Sequence, residues 1–336
     1  MQDSPGNTAT TDILDEKEFH RVKAQLINKS GLSYIEFKKK LTPVYSQVWM
    51  DISLGWIGIG ITLTAAVLLL RKTNAGGSIM LSLLTAAIIG YLIAYLINFF
   101  HEAAHYNIAA HKKLNDRLAN LFLGIFIAQG IKNYRIVHWQ HHIALGTPED
   151  SEISYFESLD LRFLLLSLSG ISALTFFFSR NKFVAANSKE DPAILEREKQ
   201  RQVLASLFFH AAILVILFYF SSVYAMIAWM LAAGSFYPFF NRLRQLMEHR
   251  SDKAAKHIDY RHKPHGKLSR IFGNSLFDRS FGSAGFNKHL LHHLEPGISY
   301  TRLDEMEAFL KETMASQSIK NKKTSYSRTF IKLFNR

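Results

Sequence analysis

Histidine recurs in this 336-residue chain at spacings that suit metal binding. HEAAH covers residues 101–105, HWQHH covers 138–142 and HLLHH covers 289–293, while His249 stands alone in RQLMEHR. HEAAH by itself fits two chemistries. Read as H-E-x-x-H on a helix, it is the zinc grip of a metalloprotease, with His101 and His105 as ligands and Glu102 as general base. Read as H-x-x-x-H, it is one of several histidine boxes around a pair of irons. On a helix, positions i, i+3 and i+4 share a face. His138, His141 and His142 therefore form a three-imidazole patch, and so do His289, His292 and His293.

The count favours iron. A catalytic zinc takes three protein ligands and keeps one position open. Nine histidines exceed that, whereas imidazole also suits iron, and two irons with four or five ligands each would use them all. The chain has no cysteine, which excludes disulfides, thiolate zinc sites, cysteine-ligated iron–sulfur clusters and a cysteine nucleophile. Of the remaining histidines, His20, His210, His257, His262 and His265 read as structural or exposed, and His111 leans the same way. His210 lies within an apolar run and is expected to bond a neighbouring helix.

The elements that must position these boxes are membrane helices. Nearly half of the residues are hydrophobic, and they gather in long runs apart from the charges. Residues 49–70 and 78–100 are each long enough to cross, since roughly 20 helical residues span the hydrocarbon core. They are joined by RKTNAGG as a helical hairpin, and the first box extends the second span past its end. The uncharged stretch 204–241, divided at Ser221-Ser222, supplies a second pair of spans over about 203–220 and 223–241. Residues 118–131 are apolar but too short to cross and read as interfacial. Residues 161–178 are ambiguous by length. If they crossed, the loop carrying Arg180, Lys182, Lys189, Arg197, Lys199 and Arg201 would lie outside, against the positive-inside rule. The expectation is an all-α integral membrane protein with four transmembrane helices in two hairpins, and 161–178 in the interface. A cytoplasmic helical cap holds the histidines, and both termini are cytoplasmic. Residues 1–48 form a polar N-terminal segment without the apolar core of a secretory signal. Residues 49–310 form the membrane domain, and 311–336 read as a basic tail, either amphipathic at the membrane surface or solvated. The net charge of +13, placed beside apolar runs, fits anionic headgroups rather than nucleic acid.

HEAAH, HWQHHIALGTPEDSEISYF, EHR and FNKHLLHHLEPGISYTRL resemble the membrane fatty acid desaturase family, a superfamily of histidine-box di-iron desaturases, hydroxylases and ketolases. The likeness extends from about residue 49 to 310. It implies that His249 is a further ligand and that Asn287, just before the third box, holds a water or a weak ligand position. It also implies two iron ions, with O2 as co-substrate, attacking an unactivated methylene of a lipid acyl chain. Glu102, Glu248, Asp150 and Glu152 are the carboxylates expected to orient ring N–H groups. Electrons are expected from a separate ferredoxin or cytochrome b-type carrier. The basic stretch 261–270 could dock it, although anionic lipid is the plainer partner for that stretch. The FFF run at 176–178 is expected to rest in lipid. With no fused carrier domain, a short N-terminus and no retention signal, a bacterial inner membrane is the expected location. An oxygenase on a fatty acyl, alkane or carotenoid shares every motif with a desaturase. A membrane zinc protease on HEAAH leaves two boxes unused. A transporter would need ionisable groups deep in the spans, where only His210 qualifies.

Overall fold

The structure is a computed structural model that describes residues 13–171, 190–220 and 223–334. Among these residues it is helical, without a strand. Four helices are long and apolar enough to cross a membrane: Tyr45–Leu70, Ala75–Ala104, Pro192–Phe220 and Val223–His249. After short helices α1 (Glu16–Val22) and α2 (Tyr34–Lys39), the first two of these are α3 and α4. They are followed by α5 (Lys112–Phe122), α6 (Ile131–Ala144), α7 (Leu161–Leu168) and α8 (Pro192–Phe220). The last long helix begins as α9 (Val223–Leu231), passes through a π-helical turn at Ala232–Phe236 and continues as α10 (Tyr237–His249). Five short helices complete the chain: α11 (Leu276–Phe281), α12 (His289–Leu294), α13 (Leu303–Lys311), α14 (Ser316–Asn321) and α15 (Tyr326–Leu333).

The long helices are held by an apolar core that includes Ile89, Ile93, Leu96, Phe100 and Trp229. Their outer faces, such as Leu204, Leu207, Phe208 and Phe218 on α8, are exposed and apolar, as lipid contact requires. Gly90 lies where α4 meets the π turn. A Cβ there would sit 2.4 Å from Phe236 Cβ and 2.9 Å from the Tyr237 amide, so only glycine allows the approach. His210 behaves as expected of a structural histidine: it bonds the Phe126 carbonyl at 3.2 Å and accepts from Trp229 Nε1 of α9 at 3.1 Å.

Several sequence boundaries move. Residues 118–131 are not one piece: α5 ends at Phe122, a 3-10 turn covers Gly124–Phe126, Ala128 takes φ 52° and α6 starts at Ile131. The freed carbonyls of Asn120 and Ile125 are met by Gln202 and Ser206 of α8, at 2.8 and 2.6 Å. Residues 192–201, read as loop, are the first turns of α8. Asp191 caps them through the Ala193 amide at 2.8 Å, and Pro192 suits the first helical position. Of the ambiguous segment 161–178, α7 covers 161–168, while FFF at 176–178 lies outside the described residues, as do Arg180, Lys182, Lys189 and the Ser221-Ser222 turn. Residues 311–334 are not a free tail. Tyr326, Thr329 and Leu333 recur at helical spacing and bury one face of α15 against α10, because Leu246, Met247 and Phe272 offer an apolar surface there. The N-terminal segment also packs on the third-box helix: Leu14, Phe19, Leu26 and Tyr34 share a core with Leu290, Leu291 and Leu294 of α12.

Candidate metal centre

The first box ends α4. His101 and Glu102 are buried in its last turn and His105 caps it. A helix C-terminus leaves carbonyls without intrahelical partners. Here Ala103 O accepts from Asn115 Nδ2 at 2.9 Å and Ala104 O from Arg135 Nε at 2.9 Å. Arg135 lies on α6 one turn before His138, so the same contact sets the first box against the second. The carbonyls ending α10 are met likewise: Arg270 donates to Met247 O at 2.8 Å and to Arg250 O at 2.6 Å, which fixes His249. The third box forms the short helix α12, entered through Ala284 and Gly285 at φ 52° and 82°.

The nine histidines of the boxes and α10 are all buried, and they divide into two adjoining groups. His101, His105, His138, His142 and His292 form one, and His141, His249, His289 and His293 form the other. Within each group one nitrogen per ring lies within 4.8 Å of the rest. The division follows helix geometry. At about 100° per residue, i and i+4 differ by about 40° in azimuth, while i+3 departs by about 60° the other way. Accordingly His138 and His142 stay together and His141 separates; His289 and His293 stay together and His292 separates. Each H-x-x-H-H box therefore serves both groups.

These residues fit a metal. His105 Nε2 and His142 Nε2 lie 2.8 and 2.9 Å from the same His138 Nε2, and His292 Nε2 lies 3.1 Å from His142 Nε2. In the second group His289 Nε2 is 2.9 Å from His249 Nε2 and 3.1 Å from His293 Nε2. Two imidazole nitrogens bound at right angles to one divalent ion, at the roughly 2.0–2.1 Å typical of zinc, lie about 2.9 Å apart. Both nitrogens of His101, and Nε2 of His141, are buried without a hydrogen-bond partner. Such atoms are costly unless a cation takes their lone pairs.

The outer contacts settle tautomers. His249 Nδ1 lies 2.8 Å from Leu268 O, which only accepts, so Nδ1 carries the proton and Nε2 the lone pair. His141 Nδ1 is 2.9 and 3.1 Å from the Asp150 oxygens, leaving Nε2 to face its group. Asp150 is itself held by Tyr155 Oη at 2.5 Å and the Glu152 amide at 2.8 Å. Burial works against a charged His141, but Asp150 and Glu152 overcome it and raise the imidazole to about 9, so an ion bound at Nε2 would displace a proton there while Nδ1 keeps its own on Asp150. Burial also opposes ionisation of Glu152, yet His141 and His138 hold its carboxyl well below the usual carboxylate range. Burial first, then neighbouring imidazoles, push His105, His142, His289, His292 and His293 well below the ordinary histidine range. These five are neutral near pH 7 and present lone pairs.

The candidate carboxylates take different positions. Glu152 accepts from Gln245, with its oxygens 3.7 Å from His138 Nδ1 and 3.9 Å from His141 Nε2, so it touches both groups. Glu248 receives Arg244 at 2.9 and 2.7 Å and Tyr326 Oη at 2.8 Å, and lies 3.9 Å from His289 Nε2. Glu102 accepts from Asn107 Nδ2 at 3.2 Å and from the Tyr300 amide at 3.1 Å. Both bonds go to Oε2 and pin the chain after the third box, while Oε1 lies 4.0 Å from His101 Nδ1. The Asn287 side chain donates to Gly273 O and Asn274 Oδ1 at 3.4 Å, tying down the loop before α12. Gln245, Tyr155 and Tyr326 escaped sequence reasoning. Arg244 did carry a signal, standing four residues before Glu248 on one helix face.

The fatty acid desaturase family profile matches residues 78–321. The chain belongs to the fatty acid desaturase family. The match spans all three histidine boxes and His249, so both histidine groups of this desaturase-family protein lie inside it. Two contacts to the site come from outside it: Tyr326 on Glu248, and Lys23 with Lys38 on Glu295, the residue after the third box helix. No curated protein matches the chain significantly.

Proposed function

We propose that this membrane protein carries out O2-dependent desaturation of a lipid acyl chain at a di-iron centre, taking electrons from a separate carrier such as a ferredoxin or cytochrome b-type protein. The observation that carries the reading is the pair of adjoining buried histidine groups, five and four, in a fatty acid desaturase-family chain. His101, His105, His138, His142 and His292 would hold one ion, and His141, His249, His289 and His293 the other. Bound iron would supply O2 activation and the oxidising power to break an unactivated C–H bond. Asp150 holds the His141 proton on Nδ1, Leu268 O does the same for His249, and Glu152 lies against both groups. The nine rings are buried, away from bulk water except where a cavity of about 140 Å³ reaches His293.

The same reading places both ends of the chain and all boxes on one polar face, with α3–α4 and α8–α10 as two hairpins. It is supported by packing near the histidines: α8 begins beside α6, where Lys132 N donates to Glu198 at 3.1 Å. α7 meets α10 where Arg242 Nε donates to Ser167 Oγ at 3.3 Å. By the charge rule that face is cytoplasmic.

Metal analysis of purified protein tests the centre: about two irons per chain are expected, by the ligand count that suits two imidazole-rich ions. One zinc and no iron would sink the reading. Lipid extracted from an expressing host separates the reaction types, because desaturation removes two hydrogens and a hydroxylase of the same scaffold adds one oxygen.

A further inference from the structure

We propose that electrons enter the centre through Trp139, at a face of α5 and α6 that docks an acidic one-electron carrier protein. The proposal rests on the desaturase reading, which needs a carrier without placing it.

Trp139 lies inside the second box, HWQHH, next to His138. Its ring is 5.2 Å from the His105 ring and 5.7 Å from the His142 ring, centroid to centroid, and both belong to the five-histidine group. Among the described residues, Phe286, Tyr155 and Tyr134 also set rings against the nine histidines. Phe286 and Tyr155 are buried and Tyr134 is half-buried, whereas Trp139 is 43% exposed. One residue therefore joins the protein surface to two rings of one group.

The level of Trp139 on α6 places it in water rather than lipid. Lys132, near the start of α6, pairs with exposed Glu190 at 3.2 Å, so charge already surrounds the helix there. From that level Tyr134 meets Phe100 and His138 meets His105, so α6 advances past the end of α4. Trp139 stands seven residues beyond Lys132, about 10 Å farther along α6. One turn on, Ile143 is 72% exposed. Two bare apolar side chains on one helix face mark a contact surface, and tryptophan is a frequent anchor of such surfaces.

The rim of this face is basic. Arg135, one turn before Trp139, and Lys112 of α5 lie over the Tyr106 ring at 4.0 and 4.9 Å. Asp116 answers Arg135 at 2.6 Å. Lys112 and Lys113 precede Asp116 by four and three residues, so they share its side of α5, and Arg117 follows it. Among the described residues Lys112, Lys113 and Arg117 have no ion-pair partner. An apolar centre inside a positive rim suits a carrier whose acidic face surrounds the edge of its redox group. Charge then guides the approach, and the apolar contact fixes the register. The basic stretch 261–270 is less available. Arg261 pairs with Asp259 at 2.9 Å, Lys267 pairs with Glu16 at 2.7 Å, and Arg270 is buried on the Met247 and Arg250 carbonyls.

Each encounter moves one electron. The reduced carrier is oxidised by one electron, a metal held by the five-histidine group gains it, and the Trp139 ring between them ends unchanged. Two encounters supply two electrons. With two protons from solvent and the two hydrogens taken from the acyl chain, these convert O2 to two waters.

The test uses the full chain as purified, in phosphatidylcholine nanodiscs, with a plant-type [2Fe–2S] ferredoxin and a soluble cytochrome b-type haem domain as probes. Hydroxyl-radical footprinting read by peptide mass spectrometry should show Trp139 and Ile143 protected by a probe at low salt and released at high salt. Anaerobic stopped-flow should show reoxidation of the reduced probe, per bound iron, slowed roughly 10-fold or more in Trp139→Ala and partly restored in Trp139→Phe. Lys112→Glu combined with Lys113→Glu should slow it by roughly 10-fold or more at low salt, with wild-type metal content. This pair carries the test if Trp139→Ala loses metal, since Trp139 packs on two histidine rings. Arg261→Glu combined with Lys263→Glu should match wild type. Trp139 left unprotected by both probes would overturn the proposal, as would a wild-type rate in the lysine pair. So would protection of Trp139 by phosphatidylglycerol nanodiscs without a carrier, which would make the face a lipid contact. An iron-loaded chain that desaturates lipid while Trp139 stays unprotected refutes the port alone. A chain reduced through the protected Trp139 face whose lipid product gains oxygen refutes desaturation alone.

Discussion

Asp150→Asn should weaken one metal position and spare the other. Asp150 is buried and holds His141 Nδ1 at 2.9 Å, while its other contacts run to Tyr155 Oη and the Glu152 amide. His141 is a member of the four-histidine group alone. Removing the charge replaces a charge-assisted bond, worth roughly 1.5–3 kcal/mol, with a neutral one. If the asparagine turns its NH2 to Nδ1, the ring must carry its proton on Nε2, and the lone pair aimed into the group is lost. If it presents its oxygen, the tautomer survives and the cost falls at the low end. The outer partners of ligating histidines typically contribute roughly 10–100-fold in metal affinity, about 1.4–2.7 kcal/mol, which agrees with the bond estimate. Chelator competition on nanodisc protein, read by mass-spectrometric metal counting, should show one of two ions leaving at roughly 10–100-fold lower chelator. Wild-type retention of both ions, or loss of both together from a folded protein, would refute the assignment of Asp150 to a separable site.

Tyr326→Phe removes the hydroxyl donated to Glu248 at 2.8 Å and should lower stability by about 1.5–3 kcal/mol, the range for a bond to a charged group. A thermal melt unchanged from wild type would show that α15 does not brace the site. Glu307 should make the packing around α13 acid-sensitive. Burial opposes its ionisation, but Lys288, Lys311 and Lys323 hold the carboxyl down at about 2, against an ordinary 4.5. A depressed acid lends stability above its ordinary value and loses it as pH falls from about 4.5 toward 2. Allowing for solvent screening at the lysines, the contribution is about 1–3 kcal/mol. Glu307→Gln should flatten the pH dependence of unfolding in that window, and a parallel profile in the variant would refute the assignment.

The spans were legible because their lengths and lack of charge obey the bilayer's thickness, whatever packs around them. That the nine histidines come together was legible because two H-x-x-H-H boxes and H-x-x-x-H each set their rings on one helix face beside a membrane helix. Four or five ligands per ion were read from the count, but which histidine joins which group was not, although the azimuths of i, i+3 and i+4 contain it. Glu102 has a further contact that was not legible. Its role depends on the Tyr300 amide, 198 residues away, and no local pattern reports such a contact. Tyr326 and the lysines on Glu295 were hidden likewise, since basic, polar ends look like tails until a buried face is found for them.

The π turn at Ala232–Phe236 carries a consequence for helical phase. Its Tyr237 amide bonds Ala232 O, five residues back, so the turn holds one residue more than an α-helical turn. One residue is about 100° of azimuth. The lipid-facing register of α9 and the site-facing register of α10 are therefore out of step, and no single periodic pattern describes both halves of this helix. Deleting one residue between Ala232 and Phe236 would leave a straight apolar helix of nearly the same length. It would also swing Gln245, Glu248 and His249 about 100° around the axis, away from the rings they now meet. The crossing would survive such a deletion and the metal centre would not.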